Sequence, residues 1–249
     1  MLIAAFIFLA STQAAAPPPA RTILAIGAHA GDMELTCGAL LLKETRRGDR
    51  VVLLHLTLGE RGNPKLSPEA YGEQKRGEAA AAAAELGAEV MFGPFRDGEL
   101  PNNQEARRYV AAIIRQVRPT HVITHWRESM HKDHATASTV VDDAVLLASL
   151  EGVATEAPWR GVRSVWYAEN WEDAERFAPY LYVDVTDLIP QWKKAVTRYE
   201  FVRGGISSFA YLDYYTALAT VRGAEARKGQ AVAFDIAPYG KRRILDDVP

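Results

Sequence analysis

Residues 22–34, TILAIGAHAGDME, decide the fold of this chain. An apolar run, TILAIG, ends in glycine and opens into a turn rich in polar side chains. That is the pattern of a buried parallel strand followed by a strand-to-helix turn. Working outward, the pattern repeats. VVLLHLTL (51–58), EVMF (89–92), THVITH (120–125), RSVWYA (163–168) and LYVDV (181–185) read as further strands. Helices are predicted between them. One runs over Leu35–Arg47 to Gly48. Another starts at Ser67-Pro68-Glu69 and closes at Gly87. A third, capped at Asn102 or Asn103, runs to about Val117, and a fourth runs from His134 to about Leu150. Thr186-Asp187 and Ser207-Ser208 precede two more. Alternating strands and helices imply an α/β fold, a three-layer Rossmann-like arrangement with a mostly parallel sheet and helices on both faces.

Composition agrees and excludes other classes. The chain has 249 residues, 48% hydrophobic and 24% charged, an ordinary globular profile. The reading is one domain over 22–249. Net charge is −2 without a basic patch, which argues against a nucleic-acid partner. A single thiol, Cys37, excludes an intrachain disulfide and a cysteine-rich zinc site, and a small buried hydrophobe is the expected role. Residues 1–16, MLIAAFIFLASTQAAA, read as a signal peptide. Its apolar core is too short to span a bilayer, and small residues suited to cleavage follow it, although no Lys or Arg precedes it. Residues 17–21 read as a Pro-rich spacer. Export to the periplasm or outside the cell is therefore expected, with cytoplasmic residence as the alternative, and no transmembrane span is expected in the mature chain.

Ligands gather at the carboxyl ends of strands in open α/β sheets. Two of the predicted strand ends carry clustered ligand-type residues: His29, Asp32 and Glu34 after the first, and His125 through His134 after the fourth. Four of the six histidines, at 29, 125, 131 and 134, fall there. Imidazoles and one carboxylate are a donor set for Zn²⁺, which in a catalytic site takes three protein ligands and keeps one open position. His29, Asp32 and His134 are the candidate ligands. His131 is expected beside the metal, and Asp133 is expected to hydrogen-bond a neighbouring imidazole. Arg76, Asp97 and Glu128 are candidates for contacts with a polar substrate. Trp126 and Trp171 are candidates for stacking on a sugar face. His55 and His121, inside strands, are expected to be satisfied core residues.

The segment His29-Ala30-Gly31-Asp32-Met33-Glu34-Leu35-Thr36-Cys37-Gly38 resembles the A-H-P-D-D-x-E-x-x-x-G segment of the zinc-dependent de-N-acetylases related to N-acetylglucosaminyl-phosphatidylinositol deacetylase, the PIG-L or LmbE-like proteins. His131-Lys132-Asp133-His134 is similar to their H-x-D-H segment. Thr57-Leu58-Gly59-Glu60, the helix ending at Leu86-Gly87, Asp97-Gly98 and Tyr182-Val183-Asp184-Val185-Thr186 follow in the family's order. The resemblance implies one Zn²⁺ per chain held by His29, Asp32 and His134. It makes His131 the acid or oxyanion stabiliser, with Asp133 tuning it. It implies hydrolysis of an N-acetyl group on a small or lipid-linked amino-sugar substrate.

One departure bears on mechanism. Gly31 stands where the family has the aspartate assigned as general base. Glu60, Glu128, Glu34 and Asp133 are the carboxylates near enough in sequence or sheet position to replace it. Otherwise zinc hydroxide acts without a base, or the protein is a catalytically impaired, metal-dependent carbohydrate-binding protein of the same fold. The reading as a carbohydrate-binding protein expects Gly31→Asp to gain turnover. A nucleotide-binding Rossmann domain is disfavoured because Gly27-x-His29-x-Gly31 lacks a third glycine.

Overall fold

A computed structural model describes residues 21–153, 156–173 and 175–242. The predicted signal peptide and most of the spacer lie outside the described residues. Seven strands form one sheet: β1 (Thr22–Gly27), β2 (Arg50–His55), β3 (Glu89–Phe92), β4 (His121–His125), β5 (Ser164–Ala168), β6 (Leu181–Asp184) and β7 (Ala231–Ile236), in the order β3-β2-β1-β4-β5-β7-β6. The first five pair in parallel. β7 runs antiparallel to both β5 and β6. The sheet is therefore mostly parallel, as the alternation implied, but β7 and its antiparallel pairing were not foreseen.

The strands read as unbroken apolar runs because both faces are covered. Ile23, Ala25, Val51 and Leu53 face one layer, which contains α1 (Asp32–Thr36), α2 (Gly38–Arg46), α3 (Pro68–Leu86), α6 (Ile189–Val196) and α7 (Tyr211–Glu225). Leu24, Ile26, Val52 and Leu54 face the other, formed by α4 (Gln104–Val117) and α5 (Lys132–Ser149). Cys37 is buried and its thiol bonds the carbonyl of Met33, as expected of a small core residue. Among the described residues no helix is long and apolar enough to cross a membrane.

Two helix starts differ from expectation. The segment read as one helix from Leu35 is two, because the helix begins at Asp32 and breaks at Cys37 (φ −131°, ψ 4°). α5 starts at Lys132 rather than His134, since the ring of His131 accepts the N–H of Asp133 and caps it. Ser67 and Asn103 cap α3 and α4 through their side chains, as their sequence position implies.

The topology places the site. β1 has β2 on one side and β4 on the other, so the chain reverses its winding direction between β1 and β4. The crevice outside the carboxyl ends of these two strands is the switch point, where such sheets bind ligands.

Candidate metal centre

Each end of the crevice supplies part of a cluster. The turn after β1 is held by Gly31 at φ +108°, a conformation open to glycine and strained for other residues. It lets the backbone N–H of His29 donate to the carboxylate of Asp32 at 2.6 Å, which aims that carboxylate back over the strand end. From β4, α5 begins one residue after His131 and carries His134 on its first turn.

Three ligand atoms converge. His29 Nδ1 lies 3.2 Å from His134 Nε2 and 3.3 Å from Asp32 Oδ2, and His134 Nε2 lies 3.4 Å from Asp32 Oδ2. A tetrahedral ion with bonds of about 2.0–2.2 Å has ligand-to-ligand edges of roughly 3.3–3.6 Å. The spacing therefore fits one face of a zinc-type tetrahedron, and the chemistry of the donors fits as well. His29, Asp32 and His134 stand together as the sequence implied.

A second layer fixes these ligands. His29 Nε2 faces Asp97 Oδ1 at 3.1 Å and Asp133 Oδ2 at 3.5 Å. Asp97 is held by the backbone N–H of Arg61, and its own N–H donates to Glu60. Asp133 accepts the N–H of Gly98 at 2.7 Å. Glu172 Oε2 lies 2.9 Å from His134 Nδ1. Carboxylates behind ligating imidazoles set the ring orientation and raise its basicity. His125 Nε2 accepts the N–H of Ala28 and lies 3.1 Å from Asp32 Oδ2.

The charges are coupled. Burial opposes the charge of Asp32, but His134 and His29 outweigh it and hold the carboxyl well below its usual range. Burial likewise opposes protonation of His29 and His134. Asp32 overrides it in both, with Asp133 and Asp97 helping at His29 and Glu172 at His134, so His29 rises well above its ordinary value and His134 to about 8. Burial, then the charge of His134, pushes His125 down to about 4. Metal binding to such imidazoles releases their protons.

The ligands open onto a cavity of about 230 Å³. His131, Trp171, Lys75, Phe201 and Tyr211 line it. His131 is half-buried, and burial together with the neighbouring imidazoles of His134 and His29 lowers its pKa. Its Nδ1 accepts the N–H of Asp133. A neutral ring in that tautomer keeps its proton on Nε2, as a donor.

Three expectations need correction. Asp133 meets a neighbouring imidazole as expected, but its carboxylate faces His29 and the N–H of Gly98, and the His131 ring receives only its backbone N–H. Asp97 lines the cavity and also faces His29. Arg76 is directed away: its guanidinium lies over Phe92 and lines a separate groove with Glu60 and Arg61. Glu128 pairs with Arg176 at 3.4 Å and does not line the cavity. Neither it nor Glu60, whose Oε1 is taken by Asp97, replaces a base at position 31. Of the two tryptophans, Trp171 lines the cavity and stacks on Phe209, whereas Trp126 packs on Tyr167 and Phe177 in the core. His55 is buried against Glu34 at 3.3 Å, and His121 bonds Thr120.

Sequence reading missed Lys75, Glu172 and Asn170. The buried stripe of α3 at 71, 75, 79, 82, 83 and 86 marks Lys75 as inward-facing. Glu172 and Asn170 follow β5, a third strand end at the same edge. Their loop is anchored by Asp173, which accepts the N–H of Asn170 at 2.9 Å and which burial pushes up to about 7. An acid with a raised folded pKa stabilises the fold fully below its unfolded value, near 3.9, and that contribution is lost as pH rises through about 7. Asp173→Asn is therefore expected to be more thermostable than wild type at pH 8, by several degrees. The advantage shrinks toward pH 4, and thermal denaturation across that range checks it.

Known proteins share this chain's sequence pattern and fold. The sequence profile of the family described as PIG-L, GlcNAc-PI de-N-acetylase, matches residues 24–145. A 4-oxalmesaconate hydratase of Pseudomonas putida is 24% identical over 223 residues, covering 86% of this chain and 84% of that protein. A 1D-myo-inositol 2-acetamido-2-deoxy-alpha-D-glucopyranoside deacetylase of Streptomyces griseus is 29% identical over 178 residues, and the match spans 56% of that relative's length. The solved N,N'-diacetylchitobiose deacetylase of Pyrococcus horikoshii has the same fold, with a TM-score of 0.78 at 21% identity, covering 88% of this chain and 85% of that one.

Proposed function

Because the chain belongs to the PIG-L (LmbE-like) family, we propose that it is a zinc-dependent hydrolase that removes an N-acetyl or related N-acyl group from an amino sugar or glycoconjugate. The observation that carries this reading is the triangle of His29, Asp32 and His134 atoms with sides of 3.2–3.4 Å at the mouth of a cavity. A divalent ion held there supplies Lewis acidity toward an amide carbonyl and lowers the pKa of water to about 7. The chain's own residues do the rest. Asp97 and Asp133 hold His29, and Glu172 holds His134. In this reading the Nε2–H of His131 donates to the oxygen that gains charge as the carbonyl is attacked. Trp171 offers an aromatic face to the sugar ring.

The test is amine release from a panel of N-acetylglucosaminides by protein loaded with one equivalent of zinc, and its loss on chelation. Bound zinc without free amine from any member defeats the reading. Saturable sugar binding without product then leaves the non-catalytic carbohydrate-binding protein. His131→Ala is expected to lower kcat by roughly 10²–10³-fold, with about 1 kcal/mol of stability lost from the α5 cap. Steady-state kinetics and thermal melts separate the two effects.

A second reading, addition of water to a double bond conjugated with a carboxylate, is supported by the hydratase from P. putida, matched over most of both chains. Loss of the substrate's ultraviolet absorbance without amine release distinguishes it.

A further inference from the structure

Where the family resemblance expects a carboxylate base, this chain has none. A Cβ on Gly31 would lie 2.9 Å from Cζ of Phe201, so the aromatic ring fills that space. The next group from the same point is the Lys75 amine, at 3.7 Å. Lys75 comes from the buried stripe of α3, is 4% exposed and lines the same cavity as the three ligands. It donates to the carbonyl of Ala30, between His29 and Gly31. Its ammonium position lies over the faces of Phe201 and Tyr199, at 4.2 and 4.7 Å from the ring centres. Among the described residues no carboxylate oxygen lies within 4.0 Å of it. The other acids around the ligands are occupied: Asp97 and Asp133 with His29, Glu172 with His134, and Glu34 with Tyr199 and His55.

We propose that Lys75 is the proton-transferring residue of this site, taking a proton from the attacking water and delivering it to the departing nitrogen. The proposal rests on the hydrolytic reading. As the water oxygen bonds to the acyl carbon, one O–H proton passes to neutral Nζ, and the carbonyl electron pair moves onto the oxygen facing His131 Nε2–H. When that pair returns, the C–N bond breaks. The Nζ proton then goes to the nitrogen, giving an amine and a carboxylic acid that ionises into solvent.

The surroundings suit an amine that cycles between its two forms. Burial brings Lys75 down to about 8, working against Asp32 from the turn after β1, Glu34 from α1, Glu78 from its own helix and Asp97 from the loop after β3. The hydroxyl-bearing neighbours, Tyr71 and Tyr199, are themselves pushed up by burial and stay neutral. An amine near 8 is present in both forms around neutral pH, the condition under which general acid–base transfer is efficient.

The experiment uses the full chain with and without zinc and reads Lys75 twice. First, the ¹⁵Nζ resonance of lysine-labelled protein, assigned by its loss in Lys75→Met, is followed with pH. It is expected to titrate near 8 rather than near the ordinary value of about 10.4, and lower still with zinc bound. Second, Lys75→Arg keeps the cation and a donor for the Ala30 carbonyl but cannot lose its proton. Its kcat is expected to fall 10²–10⁴-fold, with zinc content, KM and melting temperature near wild type, and the limb of the pH–kcat profile near 8 disappears. An Arg variant within threefold of wild-type kcat overturns the proposal and leaves Lys75 as an anchor of the turn. So does an amine that titrates at its ordinary value. If Lys75→Arg fails to fold, Lys75→Met carries the same kinetic reading. A zinc-loaded wild type that releases no amine defeats the hydrolytic reading and the proton relay together. A wild type that turns over alongside an equally active Lys75→Arg defeats the relay alone.

Discussion

Gly31→Asp is expected to give a less stable protein with no gain in turnover. From sequence alone this substitution restores the family's base and should rescue an impaired enzyme. The geometry reverses that expectation. Position 31 has φ +108°, which an L residue adopts at a cost of about 1–3 kcal/mol. Its new Cβ would stand 2.9 Å from Phe201, and overfilling a packed site costs about 1–3 kcal/mol more. Together these predict a loss of about 2–6 kcal/mol, and the turn that aims Asp32 must shift to relieve it. Chemical denaturation gives the stability change, and zinc affinity reports the displaced ligand. Full stability with raised kcat would show that the pocket accommodates a carboxylate there. Phe201→Ala with Gly31→Asp separates the two costs, because it removes the clash and leaves the backbone strain.

Asp32→Ala is expected to abolish both metal binding and activity. It removes the only anionic member of the triangle, and with it the charge that keeps the His29 and His134 pKa values high. The variant's metal-free fold should lose some stability, since His29 and His134 outweigh the burial cost of the Asp32 carboxylate, so each protein serves as its own metal-free reference. The contrast appears on adding metal. A ligand at a thousand times its dissociation constant stabilises the native state by about 4 kcal/mol, which for a chain of this size corresponds to roughly 8–16 °C. Wild type should show a zinc-dependent rise of that order and Asp32→Ala none, with activity down by at least 10³-fold. A variant that still melts higher with zinc would move the anionic ligand elsewhere, with Asp97 and Asp133 around His29 as the alternative set.

The ligand triad was legible because a parallel strand's end, a tight turn and a helix start are local patterns that the sequence carries directly. The residues behind the triad were less so. Asp97 and His29 meet across 68 positions of chain, and nothing local at Asp97 announces an imidazole. Arg76 against Lys75 is a matter of one step, about 100° on a helix: reading the stripe at 71, 75, 79 and 83 selects the lysine, while reading residue type alone selects the arginine. Glu128 shares a loop with His131, but side-chain direction in a loop is set by tertiary contacts, here Arg176. Asp133 follows the same rule, because its place on the first turn of α5 aims it at Gly98 and His29. β7 went unread because AVAFDI, at 231–236, is short and follows a helix near the chain's end. Its antiparallel pairing depends on the chain returning to lie between β5 and β6.

That return sets a timetable for biosynthesis. β1 to β5 can zip together while the ribosome is still at work, whereas β6 has no hydrogen-bonding neighbour until β7 slides in beside it. Glu169, Asn170, Trp171 and Glu172 lie on the stretch between β5 and β6, whose far end is tied to the sheet only through β7. Folding during synthesis is thus expected to assemble the two imidazole-bearing crests before the wall that braces His134.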